Sequence, residues 1–133
     1  MKDRALLWLR ISYWVGAVLD LFAALVMLFP PLFVLVNRPF TFQAGWEYRY
    51  AMGMGAPLMI GWSALLVWAD RKPYERKDLL LITLLVVFGE VALEIWGVRS
   101  GLLPFSAALP MFAVQTLLTV LFVYSYLIAT RKR

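Results

Sequence analysis

Four long runs of apolar residues, separated by short polar or irregular stretches, dominate the chain. They cover about residues 5–29, 50–69, 78–98 and 105–130. A helix needs about 20 mostly apolar residues to cross a bilayer, and each run meets that length. Backbone polar groups inside lipid must be satisfied within the segment, so helices are expected. The pattern predicts an all-α fold, an integral membrane four-helix bundle that forms a single domain over residues 1–133.

Composition and charge distribution support a membrane protein. Hydrophobic residues make up 63% of the chain, against roughly 45–50% in soluble domains. Three of the 13 Lys and Arg residues, Arg38, Arg49 and Arg99, lie beyond the first and third runs. The other ten lie at the opposite ends of the runs: Lys2, Arg4, Arg10, Arg71, Lys72, Arg76, Lys77, Arg131, Lys132 and Arg133. The positive-inside rule therefore predicts a multi-pass protein with cytoplasmic N- and C-termini. The expected partner is the lipid bilayer and not nucleic acid.

The chain contains no cysteine and no histidine. Thiolate ligation of haem or iron–sulfur clusters is therefore excluded, and the commonest metal ligand is missing. We expect neither a cofactor nor a metal ion. Any proton transfer would fall to carboxylates.

Three carboxylates interrupt the apolar runs: Asp20, Glu90 and Glu94. A charged acid at the bilayer centre costs between about 3 and more than 10 kcal/mol, so such residues usually have a partner or a function. At about 1.5 Å per residue, all three lie in the outer half of the bundle, near the level of Gln115 in the fourth run. The sequence therefore predicts a buried acidic cluster.

Two further groups complete the predicted site. Tyr13 lies seven residues before Asp20, on the same helical face. Arg49 and Arg99 lie at the outer rim, within reach of Glu94, and are the expected ion-pair partners of the acids. The candidate ligand- or ion-binding residues are Asp20, Glu90, Glu94, Gln115 and Tyr13, and no catalytic residue is assigned.

An internal similarity suggests two tandem two-helix repeats. Residues 19–23, Leu-Asp-Leu-Phe-Ala, match residues 93–97, Leu-Glu-Ile-Trp-Gly, in residue type. Pro30 and Pro104 each follow the acid of their segment by ten residues. Parallel repeats of this kind relate two halves of a bundle about an axis along the membrane normal.

The connection over residues 30–49 is too irregular for a span and too apolar for a solvated loop. It fits an aromatic segment at the membrane interface. It also fits a lid over the outer end of the bundle.

Three functions are compatible with these features. The first, which we favour, is a non-enzymatic protein that binds or conducts a proton, a cation or an amine-bearing ligand from the outer side. The second is a structural or accessory subunit of a membrane complex, with the acids in salt bridges. The third is a lipid- or sterol-type isomerase that uses paired carboxylates. A small cationic or hydrophobic ligand is expected in the first case, and a homo-oligomer on grounds of size.

Overall fold

The computed structural model describes residues 2–131, and every regular element in that range is a helix. Four helices are long and apolar enough to cross a membrane. The elements in chain order are α1 (Lys2–Leu28), α2 (Pro30–Asn37), α3 (Trp46–Ala69), α4 (Asp78–Arg99) and α5 (Phe105–Thr130). The predicted all-helical fold is confirmed, as are the positions of its four long helices to within a few residues.

The short helix α2 is the element that the hydrophobic pattern did not predict. Pro30 and Pro31 occupy its first turn, where proline is favoured because the N–H it lacks would have no helical partner. The helix ends at Arg38, which adopts a left-handed conformation with φ 45°. The Arg38 N–H donates to the Val34 carbonyl over 2.9 Å, so the chain turns sharply after two helical turns.

The long helices pack as two neighbouring hairpins. The helix α1 packs most extensively against α3, α4 packs against α5, and the hairpins meet mainly where α1 contacts α5. This arrangement is compatible with tandem two-helix repeats, which stay a prediction.

The tightest packing lies at the end of the bundle that carries the 70–77 turn, which we call the loop end. Leu9, Tyr13, Leu66 and Phe122 are fully buried there. The Ser12 and Ser125 hydroxyls are hydrogen bonded over 2.7 Å across the contact between α1 and α5. Close packing at the loop end fixes the positions of α1 and α5. The two helices then continue into the other half of the bundle, which is more open.

At the opposite end, aromatic rings hold α2 beside the start of α3. The Phe33 ring centroid lies 5.0 Å from that of Phe42 and 5.2 Å from that of Tyr48. The Tyr48 hydroxyl lies 3.5 Å from the Met27 carbonyl oxygen, near the end of α1. As a result α2 folds back against α1 and α5.

Candidate ligand-binding cavity

A cavity of about 300 Å³ lies among α1, α4 and α5. Residues from α1 and α4 form two walls, α5 contributes the third, and Val36 of α2 lies at its edge. The lining is largely apolar and includes Leu19, Phe22, Val87 and Met111. The helix α3 contributes no lining residue among those described.

Four of the five predicted ligand-binding residues line this cavity: Asp20, Glu90, Glu94 and Gln115. Asp20 comes from α1, the two glutamates from α4, and Gln115 from α5. Gln115 Nε2 donates to Glu94 Oε1 over 3.1 Å. The structure therefore brings polar groups from three helices to one cavity.

The prediction that these carboxylates are buried is wrong. No charged residue within 4–131 is buried as a whole. Asp20 and Glu94 are half-buried and Glu90 is exposed. The reason is that they lie on the wall of an open cavity, where α1 and α4 are not in extensive contact.

Individual oxygen atoms at the cavity are nevertheless shielded from solvent. Asp20 Oδ2, Glu94 Oε2 and Gln115 Oε1 have almost no accessible surface and no hydrogen-bond partner in the described part of the chain. All three are hydrogen-bond acceptors. Gln115 itself is only 6% exposed. Shielded polar atoms are normally paired, so three unpartnered acceptors beside one cavity point to a ligand or water that supplies donors.

Tyr13 does not belong to this site, which corrects the prediction. Its side chain is fully buried at the loop end, and its hydroxyl donates to the Pro73 carbonyl over 3.1 Å. Tyr13 shares a helical face with Asp20 but lies about 10 Å nearer the loop end, since each residue rises about 1.5 Å. Its contacts anchor the 70–77 turn.

Arg49 and Arg99 are not the ion-pair partners that were predicted. Within residues 2–131, neither arginine forms an ion pair with Asp20, Glu90 or Glu94. Arg49 Nε donates instead to the Ala44 carbonyl over 3.4 Å. Both arginines are exposed, and they stay in solvent-accessible positions near the ends of their helices.

The sequence did not lead us to assign Thr83 to the site, although it lies seven residues before Glu90 and therefore on the same face of α4. Thr83 lines the cavity and is buried. Its Oγ1 donates to the Leu79 carbonyl over 2.8 Å and accepts from Trp62 Nε1 over 3.2 Å. The Thr83 hydroxyl is therefore occupied by protein partners and connects α4 to α3.

Comparison with protein-family models, curated proteins and solved structures finds no match. The described residues also contain no group of three or more carboxylates arranged to hold a metal ion.

Proposed function

We propose that the protein is a multi-pass integral membrane protein that binds a small amphipathic cation in the cavity among α1, α4 and α5. The observation that carries the proposal is that an apolar cavity wall holds polar atoms without partners among the described residues. Its wall is mostly apolar, and its shielded, unpartnered atoms are all acceptors, two of them from carboxylates. An apolar body with a positively charged group complements both features.

The proposed topology sets the side from which the ligand enters. The ten basic residues concentrated at the loop end and the termini favour a cytoplasmic location for that end. Asp20 lies eight residues before the end of α1 at Leu28, or about 12 Å along the helix. The cavity is then nearer the outer side, and we propose that the ligand reaches it from there.

The accessory-subunit alternative, in the form that requires salt bridges, loses its main argument. Asp20 and Glu94 each keep an oxygen without a partner among the described residues. A structural network would be expected to satisfy these atoms, because a shielded charge without a partner destabilises the fold.

The isomerase alternative is the second candidate, because carboxyl groups on an apolar wall also suit acid catalysis on a hydrophobic substrate. Glu90 is exposed on that wall, where a substrate could reach it. An isomerase must bind an uncharged substrate, whereas a cation-binding protein discriminates against one. Tight binding of an uncharged ligand would therefore favour the isomerase over the cation-binding protein.

The experiment uses the full chain in detergent and two rigid ligands of nearly equal shape, 1-adamantylamine and 1-adamantanol. At neutral pH the amine is a cation and the alcohol is not. We expect the amine to bind at least tenfold more tightly by isothermal titration calorimetry, and to raise the unfolding temperature through its preference for the folded state.

Matched variants assign the effect to the cavity. Asp20→Asn and Glu94→Gln should each weaken amine binding about tenfold or more, since a hydrogen bond to a charged group contributes about 1.5–3 kcal/mol. Glu75→Gln is the control, because Glu75 lies in the loop-end turn and pairs with Lys72 over 3.0 Å. Equal affinity for amine and alcohol, or equal losses in all three variants, would overturn the proposal.

A further inference from the structure

The contact between Gln115 and Glu94 fixes which atoms these side chains present. Gln115 is 6% exposed, and its Nε2 donates one of its two hydrogens to Glu94 Oε1. The reverse amide orientation would set the Gln115 carbonyl oxygen against a carboxylate oxygen, acceptor against acceptor. The observed orientation therefore leaves Gln115 Oε1 and Glu94 Oε2 as the two free acceptors.

The cavity wall offers few hydrogens to those acceptors. None of the described residues that line it is Lys or Arg, and the Thr83 hydroxyl already donates to Leu79. Asp20 adds a further unpartnered acceptor from α1. Apart from the second N–H of Gln115 Nε2, the hydrogen atoms that satisfy this set must come from the bound molecule or from water.

Resting on the proposed function, we infer that the site selects cations by their N–H hydrogens, so that a primary ammonium binds more tightly than a quaternary ammonium of the same charge and apolar body. Both would be attracted by the carboxylates, but the ammonium alone donates hydrogen bonds to them. Quaternary ammonium groups are typically recognised by cages of aromatic rings. The aromatic lining residues here are Phe22 and Phe122, and Phe122 is also packed in the loop-end core.

The test is a graded series on one body: 1-adamantylamine and its N-methyl, N,N-dimethyl and N,N,N-trimethyl derivatives. All carry one positive charge at neutral pH, while the number of N–H hydrogens falls from three to none. We expect the affinity of the protein to fall along the series, with at least a tenfold difference between its first and last members.

Substitutions in α5 test whether Gln115 causes the preference for primary over quaternary ammonium. Gln115→Met keeps the length of the side chain and removes the acceptor, so it should narrow the difference in affinity between primary and quaternary cations. Thr116→Val is the control, because exposed Thr116 donates to Phe112 within its own helix and does not line the cavity. The wild-type series requires no variant, so the inference can be tested even if Gln115→Met fails to fold.

The outcomes separate this inference from the proposed function. Affinity that falls with each methyl group supports both. Equal affinity along the series, or tighter binding of the quaternary member, overturns the selection by N–H hydrogens and leaves cation binding intact. Binding of no member, or no preference over 1-adamantanol, overturns both.

Discussion

Gln115 of α5 donates a hydrogen bond to Glu94 of α4 over 3.1 Å, and each side chain keeps one shielded oxygen that has no partner among the described residues. This pair makes the half-buried Glu94 part of a polar contact between two helices. It satisfies one carboxylate oxygen and leaves the other available at a cavity with a mostly apolar wall. The pair therefore combines a structural contact with an incomplete set of hydrogen bonds.

Replacing Glu94 or Asp20 by its neutral amide should stabilise the ligand-free protein. In Glu94→Gln the new carbonyl can still accept from Gln115, and the new amide N–H can donate to Gln115 Oε1, so both partners are satisfied. We expect Glu94→Gln and Asp20→Asn each to raise the free energy of unfolding by about 0.5–2 kcal/mol, because each removes a charge whose shielded oxygen has no partner among the described residues. Thermal unfolding in one detergent measures this. Lower stability than that of the Glu75→Gln control would contradict it.

Tyr13→Phe should affect stability and not ligand binding. It removes the hydrogen bond from the Tyr13 hydroxyl to the Pro73 carbonyl, a contact that contributes about 0.5–1.5 kcal/mol. Tyr13 does not line the cavity, so affinity for 1-adamantylamine should stay within twofold of wild type. A large loss of affinity in a folded variant would show that Tyr13 contributes to ligand binding.

The sequence was sufficient to predict the four long helices and most of the polar residues of the cavity wall. Both predictions depend on the length of an apolar run and on the spacing of residues along one helix, which the sequence shows directly. It placed Glu90 and Glu94 at the same level as Asp20 and Gln115, and all four line the cavity. It was not sufficient to predict how exposed the carboxylates are, since the gap between α1 and α4 results from how whole helices pack. It also failed for Tyr13, because a shared helical face does not say which loop lies against each level of the helix.

Labelling of single cysteines tests the proposed topology, since the chain contains no cysteine. Gln43→Cys places a thiol in the exposed segment before α3, and Glu75→Cys places one in the 70–77 turn. In intact cells, a membrane-impermeant maleimide should label Gln43→Cys and should label Glu75→Cys only after the membrane is opened. The opposite pattern would place the loop end outside.

The contact of α1 with α3 and α5 at Gly16 should not tolerate a side chain. A Cβ at Gly16 would lie 2.9 Å from Leu66 Cδ1 and 3.2 Å from Phe122 Cζ, whereas a Cβ at Gly61 would meet nothing within 4 Å. We expect Gly16→Ala to destabilise the protein by about 1–3 kcal/mol through overpacking. Gly61→Ala should be neutral or stabilise α3 by up to about 1 kcal/mol. Equal thermal stabilities of the two variants would show that this end is loosely packed.

Filling the cavity should abolish ligand binding without unfolding the protein. Val114 lines the cavity and is 42% exposed, so Val114→Trp can place an indole ring in the space of about 300 Å³. Val120 is the matched control, because it lies on the same helix, is 62% exposed and does not line the cavity. We expect Val114→Trp to lose detectable binding of 1-adamantylamine, and Val120→Trp to bind as wild type does.

Thermal unfolding of both tryptophan variants is the necessary companion measurement. Because both substitutions occur at exposed positions, their unfolding temperatures should stay close to wild type. The loss of binding can then be attributed to occupied space and not to a damaged fold. Retained binding by a folded Val114→Trp variant would place the ligand elsewhere, since no carboxylate has been changed and only the volume beside Asp20 and Gln115 has been reduced.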